Sequence, residues 1–278
     1  MRRKPKEQEE KGVTINTEDF VRLTSFIKQK YGIDLINKQQ LVQSRLALYV
    51  KQSGYDNFTA FLDAAFADRS GVEVANIINR LTTNHTYFNR ESQHFEHLVK
   101  YFLPKKEKEN LSHQLCIWSA GCSYGNEPYN VAMFIDDYFG FRKPAWDCKI
   151  LATDISLNAL EKAKKGIYSA SSIKELPEAW QKKYFTRLPD GNYQVVPKIR
   201  QEVVFRYHNL MEPIAFKKTF DLILCRNVMI YFDEPTREHL SQRFYDNMNH
   251  DSFLYIGHTE IISNNKFERV VPAIYRKP

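Results

Sequence analysis

The chain has 278 residues, of which 43% are hydrophobic, 14% aromatic and 26% charged; that suffices for a sizeable core and excludes wholesale disorder. Ten glycines and eleven prolines exclude collagen-like and low-complexity chains, and no window approaches about 18 uninterrupted apolar residues, which excludes a membrane-spanning helix. The net charge of +7 favours acidic partners without choosing among nucleic acid, anionic lipid and acidic protein.

Residues 1–15 read as a solvated charged tail, and Met1 to Lys11 holds no apolar h-region, so no signal peptide is expected. Residues 16–80 read as a small helical domain. Thr17 is placed to cap a helix carrying Phe20, Leu23, Ile27 and Tyr31 on one face, and Asn37 a second with Leu41, Val42, Leu46 and Tyr49. Asn57 precedes Phe58, Phe61, Leu62 and Ala65, and Val74, Ile77, Ile78 and Leu81 repeat that helical spacing. The polar stretch that follows, from Leu81, reads as a linker and connecting helix over 81–114.

From Leu115 the texture changes, and residues 115–278 read as an α/β domain. Short apolar runs (Leu115–Ser119, Lys149–Thr153, Val203–Tyr207, Phe220–Cys225, Ser252–Gly257) alternate with helical stretches at Pro128–Tyr138, Ser156–Lys165 and Pro235–Met248. That alternation predicts a mostly parallel sheet covered by helices. Between Tyr184 and Val196 the turn Leu188-Pro189-Asp190-Gly191-Asn192 predicts an inserted β-hairpin, assigned to about 184–200. The four cysteines form no Cys-x-x-Cys pair, and three of them, inside or beside apolar runs, read as small buried hydrophobes. Eight histidines include no His-Glu-x-x-His, and His94 and His97 have no third ligand near them, so no metal is expected.

Four segments carry chemistry. The turn after the first strand, Ala120-Gly121-Cys122-Ser123-Tyr124-Gly125-Asn126-Glu127, is small and poor in basic groups. It matches neither Gly-x-Gly-x-x-Gly nor a phosphate loop, and suits a ligand without phosphates at the strand C-termini. Asp154, at the end of the second run, is placed to accept ribose hydroxyls, or else to cap the next helix. Arg226 and Asn227 interrupt the apolar run from Phe220 to Phe232, so they need partners in the protein or in a ligand. The stretch Asn84-His85-Thr86-Tyr87-Phe88-Asn89-Arg90-Glu91, taken alone, is a linker.

Six ordered blocks together resemble the CheR-type chemotaxis receptor methyltransferases over roughly residues 16–277. They are Leu-Thr-Thr-Asn-x-Thr-x-Phe-x-Arg-Glu (81–91), Trp-Ser-Ala-x-x-Ser-x-Gly-x-Glu-Pro-Tyr (118–129), Ala-Thr-Asp-Ile (152–155), Asn209-Leu210, Cys-Arg-Asn-Val-Met-Ile-Tyr-Phe (225–232) and Gly-His-x-Glu (257–260). The resemblance implies an all-helical N-terminal domain for receptor recognition, followed by a Rossmann-like methyltransferase domain with a β-insertion. It implies methyl transfer from S-adenosylmethionine to glutamate carboxylates of chemoreceptors, for sensory adaptation. By the same resemblance Asn84, Thr86 and Arg90 border the cofactor and the transfer site. Glu127 and Asp154 hold its methionine and ribose portions or their neighbours, and Asn209, Leu210, Arg226 and Asn227 complete the pocket. Arg90 and Tyr231 fall nearest the chemistry. The implied partners are the cytoplasmic domains of methyl-accepting receptors. A cytoplasmic monomer is expected, since the sequence shows no coiled-coil repeat or conspicuous apolar seam, with no metal, no nucleic-acid partner and no membrane insertion.

One departure is visible: the family has two acids before the Pro-Tyr, and the first here is Asn126. Some members capture a receptor C-terminal peptide on the β-insertion, using a glycine-rich turn. Here Gly191 is the only glycine between Gly166 and Gly257, so weak or absent capture is expected. The helix face with Lys38, Arg45 and Lys51 reads equally as a solvated surface or as a dock for an acidic receptor helix. Two other functions stand beside the methyl-ester reading. A nucleic-acid methyltransferase would explain the charge, but the chain has no Asn/Asp-Pro-Pro-Tyr tetrapeptide or catalytic Cys-Pro pair. A catalytically silent homologue is the other, and the matched Arg90 and Tyr231 argue against it.

Overall fold

Asn16 opens the first helix: its side chain accepts the Asp19 N–H at 2.7 Å, so the cap falls one residue before the expected Thr17. In the computed structural model, which describes residues 13–82 and 84–278, the chain forms two units, 1–83 and 84–278. The charged tail expected over 1–15 lies mostly outside the described residues. Within them Ile15 is buried, and its N–H donates to Gln43 Oε1 at 2.7 Å.

The first unit is helical throughout its described length: α1 (Thr17–Tyr31), α2 (Gln39–Gln52), α3 (Phe58–Ala67) and α4 (Val72–Leu81). The expected stripes on α1, α3 and α4 are buried, from Phe20, Leu23 and Ile27 to Val74, Ile77 and Ile78, while on α2 Val42 and Leu46 are buried and Leu41 and Tyr49 half-buried. Asn57 caps α3 through the Ala60 N–H at 2.9 Å, as its spacing predicts. Asn37 does not cap α2; Lys38 takes that position and makes no side-chain cap bond. Arg45 reaches the C-terminus of α4, where its guanidinium donates to the carbonyls of Leu81 (2.7 Å) and Thr82 (3.2 Å). A cation there meets carbonyls that the helix itself leaves unpaired.

The second unit begins at Asn84, so the stretch read as linker and connecting helix belongs to it except for 81–83. α5 (Gln93–His97), a π-helical turn at Leu98–Phe102 and α6 (Leu103–Glu109) run continuously and bury Phe95, Leu98, Phe102 and Leu103. Then come β1 (Ile117–Ala120), α7 (Asn126–Phe139), β2 (Ile150–Asp154) and α8 (Leu157–Lys165). An inserted segment holds β3 (Ile167–Tyr168), α9 (Ala170–Ile173), α10 (Glu178–Tyr184), β4 (Phe185–Arg187), β5 (Tyr193–Val195) and α11 (Pro197–Arg200). The chain closes with β6 (Val203–Tyr207), β7 (Phe220–Cys225), α12 (Glu234–Asp246), β8 (Met248–Ile256), β9 (Glu268–Val271) and β10 (Ile274–Lys277).

Seven strands form one sheet in the order β6-β2-β1-β7-β8-β10-β9. The first five are parallel, and β10 and β9 extend the sheet antiparallel. Trp118 is fully buried on β1, with its indole N–H donated to Thr153 Oγ1 at 2.9 Å. The hairpin read from Pro-Asp-Gly is present as β4–β5, and β3 pairs with β5 to make a separate three-stranded sheet. Among the described residues no helix is long and apolar enough to cross a membrane.

Candidate active site at the strand ends

The strand order reverses between β1 and β7, with β2 and β6 beyond β1 and β8 beyond β7. In such sheets the crevice outside the C-terminal strand ends is where ligands bind. The turn leaving β1 is tight: Gly121, Ser123 and Gly125 have φ of +82°, +49° and +84°. A Cβ on Gly121 would lie 2.4 Å from Val228 Cγ2, so only glycine lets this turn approach the end of β7.

Asp154 fastens that turn to the next helix. Its Oδ2 accepts the Ser123 N–H and its Oδ1 the Ser156 N–H, each at 2.8 Å. Burial pushes its pKa up, and the N–H groups of Ser156, Ser123 and Ile155 work in the opposite direction. The residue is 8% exposed. Asn84 joins the same turn, since its carbonyl accepts the Ser123 hydroxyl at 3.2 Å. Asn209 and Leu210, both buried, follow His208, whose N–H donates to the Asp154 carbonyl at 3.3 Å.

Arg226, one residue past β7, has a side chain only 2% exposed. Its Nη1 lies 3.1 Å from Glu127 Oε2, and its Nη2 lies 3.3 Å from Glu91 Oε2 and also donates to the Arg90 carbonyl. Glu127 Oε1 accepts the Ser119 hydroxyl at 2.7 Å. Glu91 Oε1 accepts from Asn227 Nδ2 and from the His258 N–H, both at 3.2 Å. One guanidinium thus ties β7 to the start of α7 and to the 90–91 segment. Burial raises the pKa of Glu127 against the pull of Arg226. Burial pushes that of Glu91 the same way, but Arg226, Asn227 and the His258 N–H outweigh it and the net shift is downward. Glu127 is the more deeply buried and Glu91 has more donors, which together account for the opposite directions.

Asn227 has φ +60°, and its N–H is held by Glu260 Oε2 at 3.0 Å. Glu260 also takes the N–H groups of Gly257 and Ile230. Asn227 Oδ1 is buried and finds no hydrogen-bond partner among the described residues. Tyr231 ends the 3₁₀ turn Met229–Tyr231, and its N–H donates to the Val228 carbonyl at 3.2 Å. Arg90 is half-buried; its Nη1 donates to the His85 carbonyl at 2.9 Å, and its guanidinium lies 5.7 Å from the Tyr87 ring centroid.

Of the residues read from sequence, Arg90 (through its carbonyl), Glu127, Arg226 and Asn227 form one bonded network. Asn84, Asp154, Asn209 and Leu210 cluster around the β1 turn and the ends of β2 and β6. Thr86 stands outside both, lining a cleft with Tyr124 and Asn126. Sequence reasoning assigned no role to Glu91, Ser119, Ser123 or Glu260, although all four lie inside quoted blocks. The sequence reading also left His94 without a third ligand. The fold brings ligand atoms of Glu91, His94 and His258 within 4.8 Å of one another. His94 is stacked on Tyr255, and burial, aided by the Arg226 charge, pushes its pKa down to about 3. The cation on Glu91 is the Arg226 guanidinium.

Comparison with known proteins agrees with this geometry. The family model described as CheR methyltransferase, SAM binding domain, matches residues 84–275, and the one described as CheR methyltransferase, all-alpha domain, matches residues 18–82. The chain is 41% identical over 271 residues to a chemotaxis protein methyltransferase of Borreliella burgdorferi, a match covering 95% of this chain and 96% of that one. It is 35% identical over 254 residues to chemotaxis protein methyltransferase 2 of Vibrio cholerae, covering 90% and 88%. A chemotaxis protein methyltransferase of Salmonella typhimurium is 36% identical over 251 residues, covering 88% and 84%.

Proposed function

The chain belongs to the CheR methyltransferase family, and from that premise we propose that its methyl acceptor is a glutamate side chain on the cytoplasmic domain of a chemoreceptor. It is an S-adenosylmethionine-dependent methyltransferase of chemotaxis. The observation that carries the acceptor assignment is the state of the carboxylates at the strand ends. Glu91, Glu127, Asp154 and Glu260 are all bonded to donors of the protein itself. None is placed as a general base. A glutamate acceptor needs none, because its ordinary pKa of about 4.3 leaves it ionised at neutral pH.

The residues present fit the cofactor. Asp154 stands at the end of β2 for the ribose hydroxyls, and the unpartnered Asn227 Oδ1 offers an acceptor. Asn84, Glu127, Asn209, Leu210 and Arg226 border or brace that space, whereas Thr86 lines the cleft with Tyr124 and Asn126. When bound, S-adenosylmethionine supplies a methyl on a positive sulfonium. The protein's own task is placement, since good alignment of two reactants lowers the barrier by several kcal/mol. Arg90 steers the incoming carboxylate, and its backbone is held by Arg226. Tyr231 orients one carboxylate oxygen through its hydroxyl. An arginine that gripped the carboxylate too tightly would stabilise the ground state. Exclusion of water helps where charge disappears on approach to the transition state. The same reading makes the protein a cytoplasmic monomer that needs no metal.

The test incubates the protein with radiolabelled S-adenosylmethionine, receptor cytoplasmic fragments and nucleic acid, then treats the labelled material with mild base. Label on the receptor released as volatile methanol is expected. Base-stable label, or label on nucleic acid, would refute the assignment.

A further inference from the structure

The first two side chains of α7 part company. Glu127 turns to Ser119 and Arg226, whereas Asn126 lines a cleft of about 300 Å³ with Thr86, Tyr124, Lys162, Lys165 and Tyr168. Asn126 is 3% exposed, yet its amide makes no hydrogen bond among the described residues. The amide opens on the cleft and has no partner among the described residues, so its donor is available to a ligand group there. The wall beside it is positive. The Lys162 ammonium lies 5.0 Å from the Tyr124 ring centroid, and neither Lys162 nor Lys165 pairs with a carboxylate among the described residues. An amide at position 126 adds no negative charge to this cleft, which stays positive, and it presents an N–H donor.

We propose that this cleft seats an acidic side chain of the protein substrate, separate from the glutamate that is methylated, and so selects which receptor helices are accepted. The inference rests on the receptor reading above. A carboxylate oxygen accepts from Asn126 Nδ2 while the two ammonium groups balance its charge. The second carboxylate sets the register of the partner helix against the transfer site. Charges at the edge of an interface act mainly on encounter and selectivity, so the effect belongs in KM and not in kcat.

The experiment measures initial rates of receptor methylation with the full chain, varying the receptor fragment at saturating S-adenosylmethionine. The double variant Lys162→Glu/Lys165→Glu is expected to raise KM for the receptor roughly tenfold with kcat little changed. Asn126→Leu, which removes the donor without adding charge, raises KM severalfold. Calorimetry shows S-adenosylmethionine binding to both variants as tightly as to the wild type. Replacing acidic receptor residues near the methylated glutamate by lysine restores the double variant at one position. Unchanged KM in both variants overturns the proposal. So does a loss of cofactor affinity matching the rise in KM, which would give the cleft to the cofactor. If the wild type itself transfers no base-labile methyl to receptor, the receptor reading fails and takes this inference with it. Wild-type activity with unmoved variants removes only the cleft.

Discussion

Arg226 sits between two acids with almost no exposure, and its partners decide what its removal does. Arg226→Ala leaves Glu91 and Glu127 facing each other in a buried site. Breaking such a pair costs about 3–5 kcal/mol, mostly because the surviving charge is uncompensated. Urea unfolding is expected to show a loss of that size, and a change within about 0.5 kcal/mol would mean that the network contributes little to stability. Asp154 works differently, because its carboxylate already fastens Ser123 and Ser156. Losing a hydrogen-bonded partner costs about 1–3 kcal/mol, so Asp154→Ala is expected to weaken S-adenosylmethionine binding by roughly tenfold or more. Unchanged calorimetric affinity in a folded variant would remove Asp154 from the cofactor site. His94 sets a pH dependence. Its folded pKa of about 3 lies below the unfolded value near 6.5, so between those limits the unfolded chain binds the extra proton. Stability is therefore full above pH 6.5 and falls as the pH drops toward 3, by at most about 1.4 kcal/mol per pH unit from this group. His94→Phe keeps a ring against Tyr255 and is expected to flatten that slope. It does not abolish the slope, because burial also lowers the pKa values of His97 and His208. An identical slope in the variant would exclude His94 as its source.

At the scale of elements, the inserted hairpin yields a prediction that its sequence already suggested. The turn closes by the Gly191 N–H to the Leu188 carbonyl at 3.0 Å and the Leu188 N–H to the Asn192 carbonyl at 2.7 Å. β4 and β5 are three residues each, and Pro197 opens α11 just beyond β5. A peptide captured by strand addition needs a free edge with backbone donors, and this one is short. Titration with aromatic-containing receptor C-terminal pentapeptides is expected to show weak binding or none. Micromolar binding abolished by changes in residues 188–200 would place the hairpin among the peptide-capturing ones. What was legible here had a local cause. Pro-Asp-Gly marks a turn by its own backbone preferences, and the parallel strands announce themselves as apolar runs because both faces are buried. β9 and β10 were not anticipated. β9 is exposed along its whole length, so no alternation of burial marks it. The π-helical turn at Leu98–Phe102 has no residue that distinguishes it from the helices on either side. The site was legible only in part for a related reason. Asp154, Glu127 and Arg226 stand at strand or helix ends that sequence can place, whereas the partners of Glu91 and Glu260 come from segments far away in the chain. Nothing local specifies those pairings.

At the scale of the whole molecule, the helix face with Lys38, Arg45 and Lys51 reads equally as a solvated surface or as a dock for an acidic helix, and the structure narrows the groups it presents. Arg45 is engaged with the C-terminus of α4, which leaves Lys38 and Lys51 as the exposed basic groups of that stretch. The division of labour between the two units can be tested directly. The seven-stranded sheet, the Glu91–Arg226–Glu127 network and the Asp154 turn all lie within residues 84–278. We therefore predict that a chain of residues 84–278 folds alone and retains cofactor affinity, while its rate on receptor fragments collapses for want of the helical unit. A ligand that binds only the folded state stabilises it by RT ln(1 + [L]/Kd), about 2.7 kcal/mol at a hundredfold excess over Kd. For a unit of this size such a gain moves the melting temperature by several degrees. A melting scan of the shorter chain with and without S-adenosylmethionine reads that shift, with the whole chain as its reference. A cooperative transition that the cofactor fails to move would show that the helical unit contributes to the cofactor site itself. Full receptor methylation by the shorter chain would instead assign receptor recognition to the methyltransferase unit.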